Sequence, residues 1–191
     1  MGEREGDVRE SFLVLRAQSG DREALGALLA SVQEPLYRYV RSLVREPQLA
    51  EDVLQETFLR VHRKLGWLRE PELFRPWAYR VATREALRHL KRERRWAEQV
   101  RGDEALEALP APTPREEFAP ELLAALPERV GRLSPASRAV VALYYLHEMS
   151  LEETAAVLGL PLGTVKSRLA YGLEALRRRL GGPGDSGFGT S

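Results

Sequence analysis

The 191-residue sequence contains no cysteine, and histidine is scarce, with three residues in the whole chain. Without cysteine there is no disulfide, no thiolate metal ligand and no thiol nucleophile. The three histidines are well separated along the chain, which leaves little material for a histidine-rich metal centre. The composition excludes disulfide-stapled proteins and cysteine-dependent enzymes, and it fits a reducing compartment.

Long uncharged apolar runs are also absent: no uncharged apolar stretch of the sequence is long enough to span a bilayer. The first ten residues, MGEREGDVRE, contain several acids and no apolar run, so we expect no signal peptide. These two absences predict a cytoplasmic protein without membrane insertion.

Charge is nearly balanced overall, with a formal net charge of +1, but it is unevenly distributed. Residues 1–96 carry 19 basic and 15 acidic side chains, and residues 128–191 carry 8 and 6. Between them, residues 97–127 carry 2 basic and 7 acidic side chains. Two mildly basic parts therefore flank an acidic middle. Arginine outnumbers lysine strongly, and its planar guanidinium suits contacts to phosphates and base edges.

The first basic part has the periodicity of several helices, because apolar residues recur three and four positions apart over residues 8–96. Asp21 is placed to cap the second of these helices. Further helices are predicted at about 47–64 and 73–95, with a turn at 66–72 between them.

The acidic middle differs in composition, since LPAPTPREEFAPELLAALP contains five prolines with acids between them. Proline disrupts a helix interior, so residues 97–127 are predicted to form an extended linker, with at most a short helix at 120–126. Beyond it, Ser134 and Pro135 predict a helix start. Residues 181–191 are Gly-rich and predicted to be disordered.

No strand-like alternation and no internal repeat is present. The predicted fold is therefore all-α. It comprises a helical domain at 8–96, the acidic Pro-rich linker and a second small helical domain at 128–180.

The second domain contains the spacing of a helix-turn-helix. SLEE at 150–153 forms a capping box, Gly159 supports a sharp turn, and Pro161 can begin the next helix. Ala155 and Val165 are suited to the close contact between the two helices. A helix presented in this way fits the DNA major groove, and the alternative is an ordinary helical hairpin with a solvated face. The polar residues on or beside its exposed side are Thr164, Lys166, Ser167, Arg168 and Tyr171.

A second basic helix is predicted in FRPWAYRVATREALRHLKRERR. Its cations fall within roughly a 120° arc at about 100° per residue, and Trp77 projects to the same side. Cations that hold phosphates beside a ring that stacks on a base would suit a strand-separating surface. The alternative is a solvated charged face with Trp77 in the core. The cations are Arg80, Arg84, Arg88, Lys91, Arg92 and Arg95, and the residues predicted to face away and pack are Tyr79, Ala82, Ala86, Leu87 and Leu90.

Three polar residues share one face of the helix AEDVLQETFLRV: Asp52, Gln55 and Glu56. This spacing could serve a metal, but the nearest histidine, His62, lies off that face. No nucleophile motif or phosphate-cradling Gly loop accompanies it. A surface that docks on a basic partner is the better interpretation, with a merely solvated face as the alternative.

These segments together resemble the bacterial RNA polymerase sigma factors of the compact extracytoplasmic-function (ECF) type. AEDVLQETFLRV resembles their core-polymerase-binding segment, and FRPWAYRVATREALRHLKR resembles their promoter-melting helix. The stretch from LSPASRAVV to YGLEALRRRL resembles their minus-thirty-five-reading domain. The resemblance covers roughly residues 8–96 and 128–180, with the three motifs in the family order.

The resemblance implies two helical domains on a flexible tether and a role in promoter recognition and melting under anti-sigma control, in a stress or envelope response. Such a protein is not itself an enzyme and needs no metal or cofactor. Its implied partners are core polymerase, through the clamp of the largest subunit and the flap of the second largest, promoter DNA and an anti-sigma factor. The acidic linker would run toward the polymerase active-site cleft.

The resemblance also implies residue roles. The polymerase clamp would contact Asp52, Gln55, Glu56 and Leu59. The loop at 66–72 would help hold a flipped base. The minus-ten element would meet Trp77, Tyr79, Arg80, Arg84, Arg88 and Lys91, and the minus-thirty-five element would meet Thr164, Lys166, Ser167, Arg168 and Tyr171.

Two other classes of protein compete with this interpretation. A helix-turn-helix regulator that is not a polymerase subunit would bind its site unaided and would need neither the docking face nor the melting helix. A carboxylate-metal hydrolase would show metal-dependent activity, but the sequence lacks the expected ligands.

Overall fold

The computed structural model describes the backbone of residues 2–96 and 133–180, with side chains described at 8–90 and 133–176. The predicted linker at 97–127 and the predicted tail at 181–191 lie outside the described residues. Within the described residues the chain is helical and contains no strand, which confirms the all-α prediction. The helices are α1 (Gly2–Gln18), α2 (Arg22–Val44), α3 (Pro47–Lys64), α4 (Phe74–Trp96), α5 (Pro135–Val141), α6 (Leu151–Leu158) and α7 (Leu162–Leu180).

The helix starts follow the predicted capping residues. The Asp21 carboxylate accepts hydrogen bonds from the backbone N–H groups of Glu23 and Ala24, each at 3.0 Å. Ser150 and Glu153 form the reciprocal capping box, with distances of 2.7 and 3.0 Å. These bonds satisfy backbone donors that a helix start leaves unpaired. The predicted caps at Asp21, Ser134 and Ser150 are all confirmed.

Helices α1 to α4 form the first packed unit around a core that α2 supplies in large part. Leu28, Leu36 and Tyr39 of α2 are fully buried, as is Phe74 at the start of α4. The Tyr39 hydroxyl and the Thr83 hydroxyl are 2.8 Å apart, so the phenol is hydrogen-bonded inside the core. This packing fixes α3 and α4 side by side, which brings the two segments of predicted functional importance together.

Helices α5 and α7 form a second small core, in which Val141 and Val165 are fully buried. Gly172 of α7 lies against α5, and a Cβ added there would be 2.7 Å from Val141 Cγ2. The two helices approach closely because position 172 has no side chain.

The two units, which correspond to the two predicted helical domains, also pack on each other. Ala139, Ala142, Leu143 and Val157 are buried in the same cluster as the core of α2 and α4. The physical reason is the composition of AVVALYYL (139–146), which is apolar on all sides. One side therefore packs on α7 and the other packs on the first unit.

Candidate nucleic-acid interface

The polar face of α3 is exposed as the periodicity predicts. Asp52 and Gln55 are exposed, and Glu56 is half-buried. Leu59, one turn further along the same face, has 50% of its surface exposed. An exposed leucine beside acidic and amide side chains can contribute both burial and hydrogen bonds to a partner surface. The face is therefore available for docking in this arrangement.

Glu56 is nevertheless paired within the chain. Its carboxylate lies 2.6 Å from Arg88 Nη2 and 3.3 Å from His89 Nε2, both on α4. Burial raises the pKa of the Glu56 carboxyl, but the hydrogen bond from Arg88 and the nearby His89 ring outweigh it, so the pKa is lowered overall. The interpretation of Glu56 as part of a metal site receives no support from these contacts.

Glu85 of α4 joins the same network and was missed by sequence reasoning. Its side chain is nearly fully buried, yet both carboxylate oxygens are paired, one with Arg60 Nε at 2.6 Å and the other with Arg88. Because Arg60 belongs to α3, Glu85 ties the two helices together. The only signal in the sequence was its place beside Ala86, on the side of the helix that was predicted to pack.

Some residues of the basic side of α4 are exposed to solvent, and others contact the second unit. Arg84 is exposed. Arg80 donates to the carbonyl of Ala156 in α6, with Nε at 2.8 Å. Tyr79 is buried, as predicted from periodicity, and its hydroxyl is 2.9 Å from His147 Nδ1.

Leu87 was predicted to pack, but 41% of its surface is exposed, so that prediction is wrong. The side chains of Lys91, Arg92 and Arg95 lie outside the described residues.

An open cavity of about 400 Å³ lies beside the start of α4, between it and the turn that precedes it. Trp67, which sequence reasoning did not single out, borders it with 82% of its surface exposed. Trp77 borders it from α4 and is half-buried, with its ring 6.3 Å from that of Phe74. Two indoles and nearby cations suit a planar, electron-rich ligand. The cavity is lined by Lys64, Trp67, Leu68, Arg69, Glu70, Leu73 and Trp77.

The helix-turn-helix geometry is present in α6 and α7. Gly159 ends α6 with φ +66°, a left-handed conformation that glycine adopts readily, and the N–H of Leu160 donates to the Ala155 carbonyl at 3.1 Å. Val165 is fully buried between the helices. Helix α7 begins at Leu162, one residue later than predicted, because Pro161 caps it through its carbonyl.

The predicted recognition residues lie on the first half of α7. All five are half-buried, so each keeps an accessible part. The Ser167 hydroxyl donates to the Gly163 carbonyl at 3.0 Å, which leaves its oxygen free to accept from a partner. These residues are Thr164, Lys166, Ser167, Arg168 and Tyr171.

Within residues 8–90 and 133–176, no group of three or more His, Asp or Glu side chains is arranged to hold a metal ion. Across the helices described here, none has the length and apolar character needed to cross a membrane.

An all-α chain with a helix-turn-helix, a basic helix and an aromatic cavity beside it has the features of a DNA-binding protein. Comparison with protein-family models defines the class further. Residues 28–96 match the model of sigma-70 region 2, and residues 130–178 match that of sigma-70 region 4.

Curated relatives agree with these matches. The RNA polymerase sigma-H factor of Pseudomonas aeruginosa is 33% identical over 182 residues, covering 90% of this chain and 94% of the relative. The ECF RNA polymerase sigma factor SigW of Bacillus subtilis is 27% identical, covering 87% of this chain and 94% of the relative. The chain therefore belongs to the RNA polymerase sigma factors of the ECF type, and it is a factor for promoter-specific initiation of transcription.

Solved structures resemble this one over both units. CnrH in complex with the cytosolic domain of CnrY has a TM-score of 0.66 and 28% identity, covering 90% of this chain and 97% of that chain. The sigma factor RpoE in complex with the anti-sigma factor NepR from Bartonella quintana has a TM-score of 0.61 and 21% identity, covering 80% and 93%, and supports the fold alone.

Proposed function

We propose that the exposed face of α3 binds core RNA polymerase and that α4 and α7 read the two promoter elements. The single observation that carries this proposal is the presence, on one chain, of an exposed docking face and two separate DNA-compatible helices. A regulator that binds DNA alone would need one such helix and no docking face.

Core binding is assigned to Asp52, Gln55, Glu56 and Leu59. Leu59 is half-exposed, and acidic and amide groups lie along the same helix face. An apolar centre with polar surroundings is the usual composition of a protein interface. The acidic charge favours a basic surface, for which we propose the clamp of the largest subunit. We assign contact with the flap of the second largest subunit to the second unit.

Minus-ten recognition and melting are assigned to the basic side of α4 and the adjoining cavity. Arg84 is exposed to hold a phosphate, and the cavity of about 400 Å³ is large enough to admit a nucleobase. Stacking on an aromatic side chain contributes about 1–3 kcal/mol per base, which offsets part of the cost of removing a base from the duplex. Trp67 and Trp77 are the rings available for this stacking. The assigned residues are Trp77, Tyr79, Arg80, Arg84, Arg88 and Lys91, with Trp67 added from the structure.

Minus-thirty-five recognition is assigned to α7 through Thr164, Lys166, Ser167, Arg168 and Tyr171. A recognition helix places its N-terminal half against the base edges of the major groove. Arg168 is the residue suited to a bidentate contact with guanine, which discriminates by about 1–3 kcal/mol.

We further propose that the chain acts in the cytoplasm and that an anti-sigma factor controls it in a stress or envelope response. CnrH, whose structure resembles this one at 28% identity, was solved in complex with the cytosolic domain of a second protein, CnrY, which supports control by a protein partner. Recovery of the tagged chain from unstressed cells without any stoichiometric protein partner would contradict the proposed control by an anti-sigma factor.

In vitro transcription tests the proposed function. The purified chain is mixed with sigma-free bacterial core polymerase and fragmented genomic DNA of the source, and the 5′ ends of transcripts are sequenced. We expect starts that depend on the chain and lie downstream of a shared two-part motif. An α3 variant, Gln55→Ala with Leu59→Ala, should abolish them. Starts that remain unchanged in this variant would contradict the docking assignment.

A further inference from the structure

Helix α1 lies outside the segments to which the proposed function assigns a role. It ends at Gln18, whereas the match to sigma-70 region 2 begins at residue 28. Helix α1 nevertheless contacts the segment between α3 and α4 that borders the aromatic cavity. That segment contains two short 3₁₀ turns, Leu65–Trp67 and Pro71–Leu73. The contacts that α1 makes with it therefore bear on the proposed minus-ten site.

Most of the cavity wall belongs to this segment. Six of the seven lining residues fall between positions 64 and 73, and the seventh, Trp77, belongs to α4. The space that a base can enter therefore depends on where the segment lies relative to α4. A cavity wall formed by a loop keeps its shape only if the loop is fixed against the rest of the fold.

The Gln18 side chain fixes the first of the two turns. Its amide nitrogen donates to the Leu65 carbonyl at 2.9 Å and to the Leu68 carbonyl at 2.8 Å. A carboxamide has two N–H donors and a carbonyl can only accept, so the nitrogen end of the amide faces the turn. Gln18 therefore holds the backbone both before and after Trp67, the residue that carries the exposed ring.

The packing of the first turn explains why the Trp67 ring is exposed. Successive residues of a 3₁₀ helix are about 120° apart, so Leu65 and Leu68 share one side and Trp67 lies on another. Leu65 is buried, and Leu68 is half-buried against the core of the first unit. The Leu68 N–H closes the turn by donating to the Leu65 carbonyl at 3.0 Å. These contacts leave 82% of the Trp67 surface exposed.

A 3₁₀ turn of this length holds itself weakly, because its hydrogen-bond geometry is poorer than that of an α-helix. Contacts with α1 therefore matter at both ends of the segment. At the far end, Arg75 Nε of α4 lies 2.8 Å from Glu10 Oε2 of α1 in an ion pair, and the Glu10 side chain is buried. Because this pair fixes α1 against α4, the bonds from Gln18 fix the first turn against α4 as well.

We propose that Gln18 is a positioning residue for promoter melting: it holds the turn at 65–68 so that the Trp67 ring keeps a fixed place in the cavity wall, where a base removed from the duplex stacks. Gln18 acts through Trp67 and does not itself contact DNA. This inference rests on the proposed role of the cavity in minus-ten recognition, whereas the fixing of the turn can be measured in the free chain.

Fluorescence of Trp67 measures the fixing of the turn. The chain has three tryptophans, so Trp77→Phe with Trp96→Phe leaves Trp67 as the single indole. In this background Gln18→Met keeps the length of the side chain but removes both donors. We expect the nanosecond component of the Trp67 anisotropy decay, which reports loop motion, to increase. Gln33→Met makes the same change at an exposed position of α2 and should leave the decay unchanged.

Two further variants complete the fluorescence experiment. Gln18→Lys restores N–H donors on a flexible side chain and should return the decay toward that of the parent. Gln18→Glu has the shape of glutamine without its donors, and it replaces Gln18→Met if that variant does not fold. An unchanged decay in a folded variant that lacks the donors would overturn the proposal.

Promoter melting measures the consequence for function. In the chain with all its tryptophans, with saturating core polymerase and 2-aminopurine in the minus-ten element, Gln18→Met should slow open-complex formation about three-fold or more. The rate follows the fraction of chains in which the ring is in place. The concentration of core polymerase that gives half the maximal rate should not change, because Gln18 lies outside the docking face of α3. Gln18→Lys should recover part of the rate.

A double variant distinguishes positioning from a general structural effect. If Gln18 acts through the Trp67 ring, Trp67→Ala with Gln18→Met should melt the promoter at the rate of Trp67→Ala alone. Losses that multiply would overturn the positioning role, and so would a wild-type rate for Gln18→Met. Failure of the wild-type chain to melt the promoter would instead contradict the proposed function, whatever the anisotropy of Trp67 shows.

Discussion

Arg88 Nη2 lies 2.6 Å from Glu56 Oε2, so a residue proposed to meet the promoter is ion-paired with one proposed to meet polymerase. Both side chains are about 40% exposed, which places the pair at the surface where α3 and α4 meet. Arg88 is also held by the buried Glu85. The core-binding and promoter-melting segments therefore share one network of ion pairs. A partner that binds Glu56 changes the charge environment of Arg88.

Substitution of Glu56 should weaken the binding of core polymerase with little effect on the stability of the fold. Glu56→Ala breaks a half-exposed pair, so we expect the free energy of unfolding to change by less than about 1 kcal/mol, while affinity for core polymerase falls. Glu85→Ala, in the same network, removes a buried carboxylate from two arginines and should cost about 2 kcal/mol. Chemical denaturation and a polymerase-binding titration measure both quantities. Equal destabilisation by the two substitutions would contradict this view of the network.

Two glycines of α7 should respond to alanine with opposite signs. Gly172→Ala places a Cβ 2.7 Å from Val141 Cγ2 in a packed core, and we expect a net loss of about 1 kcal/mol. Gly163 has no atom within 4 Å of the added Cβ, so Gly163→Ala should raise stability by about 0.5–1 kcal/mol through helix propensity. Thermal unfolding of both variants checks the pair. A gain in stability for Gly172→Ala would show that α5 moves away freely.

Acid should weaken the packing around His147. Burial between Tyr39 and Tyr79, with a further contribution from Arg38, lowers the pKa of His147 from 6.5 to about 4. Between these values the unfolded chain binds a proton that the folded chain does not. Stability from this group is therefore fully present above pH 6.5 and is lost as pH falls toward 4, by at most about 3 kcal/mol.

The measurement for His147 compares denaturation curves of the wild type and His147→Gln between pH 7 and pH 4. All other titratable groups are the same in both proteins. The difference between the two curves therefore gives the contribution of His147 to the pH dependence of stability. We expect the wild type to lose more stability than the variant over this interval. Parallel curves would mean that His147 keeps an ordinary pKa.

Trp67 should matter for melting and not for folding. Because 82% of its surface is exposed, Trp67→Ala should leave the unfolding free energy within about 0.5 kcal/mol of wild type. Loss of a stacking platform should slow open-complex formation at least about five-fold, and Trp67→Phe should restore part of the rate. Fluorescence of 2-aminopurine placed in the minus-ten element follows the rate. Wild-type melting by Trp67→Ala would remove Trp67 from the proposed site.

Much of the fold was predictable because its signals are local. Short sequence motifs predict the caps at Asp21 and Ser150 and the turn at Gly159, and the structure contains all three. Helix α3 has the predicted bounds, and α4 begins one residue later than predicted. Capping and periodicity depend on neighbours within a few positions, which a sequence displays directly.

The unpredicted features depend on contacts between distant residues. Nothing local to Tyr79 or Arg80 shows that each is held by the second unit, through His147 and Ala156. The pairing of Glu85 with Arg60 likewise needs the register of α3 against α4. Trp67 was missed because an aromatic residue in a turn carries no periodic signal, and its exposure emerges only from the packed structure.

The most direct test of the central claim compares promoter binding by the chain alone and by the chain with core polymerase. A fluorescent duplex carrying the two-part motif found by transcription is titrated in the same buffer, at one stated salt concentration, with each. The account predicts at least about a hundred-fold tighter, motif-dependent binding when core polymerase is present. Equally tight, motif-dependent binding by the free chain would contradict it and identify a regulator that reads DNA unaided.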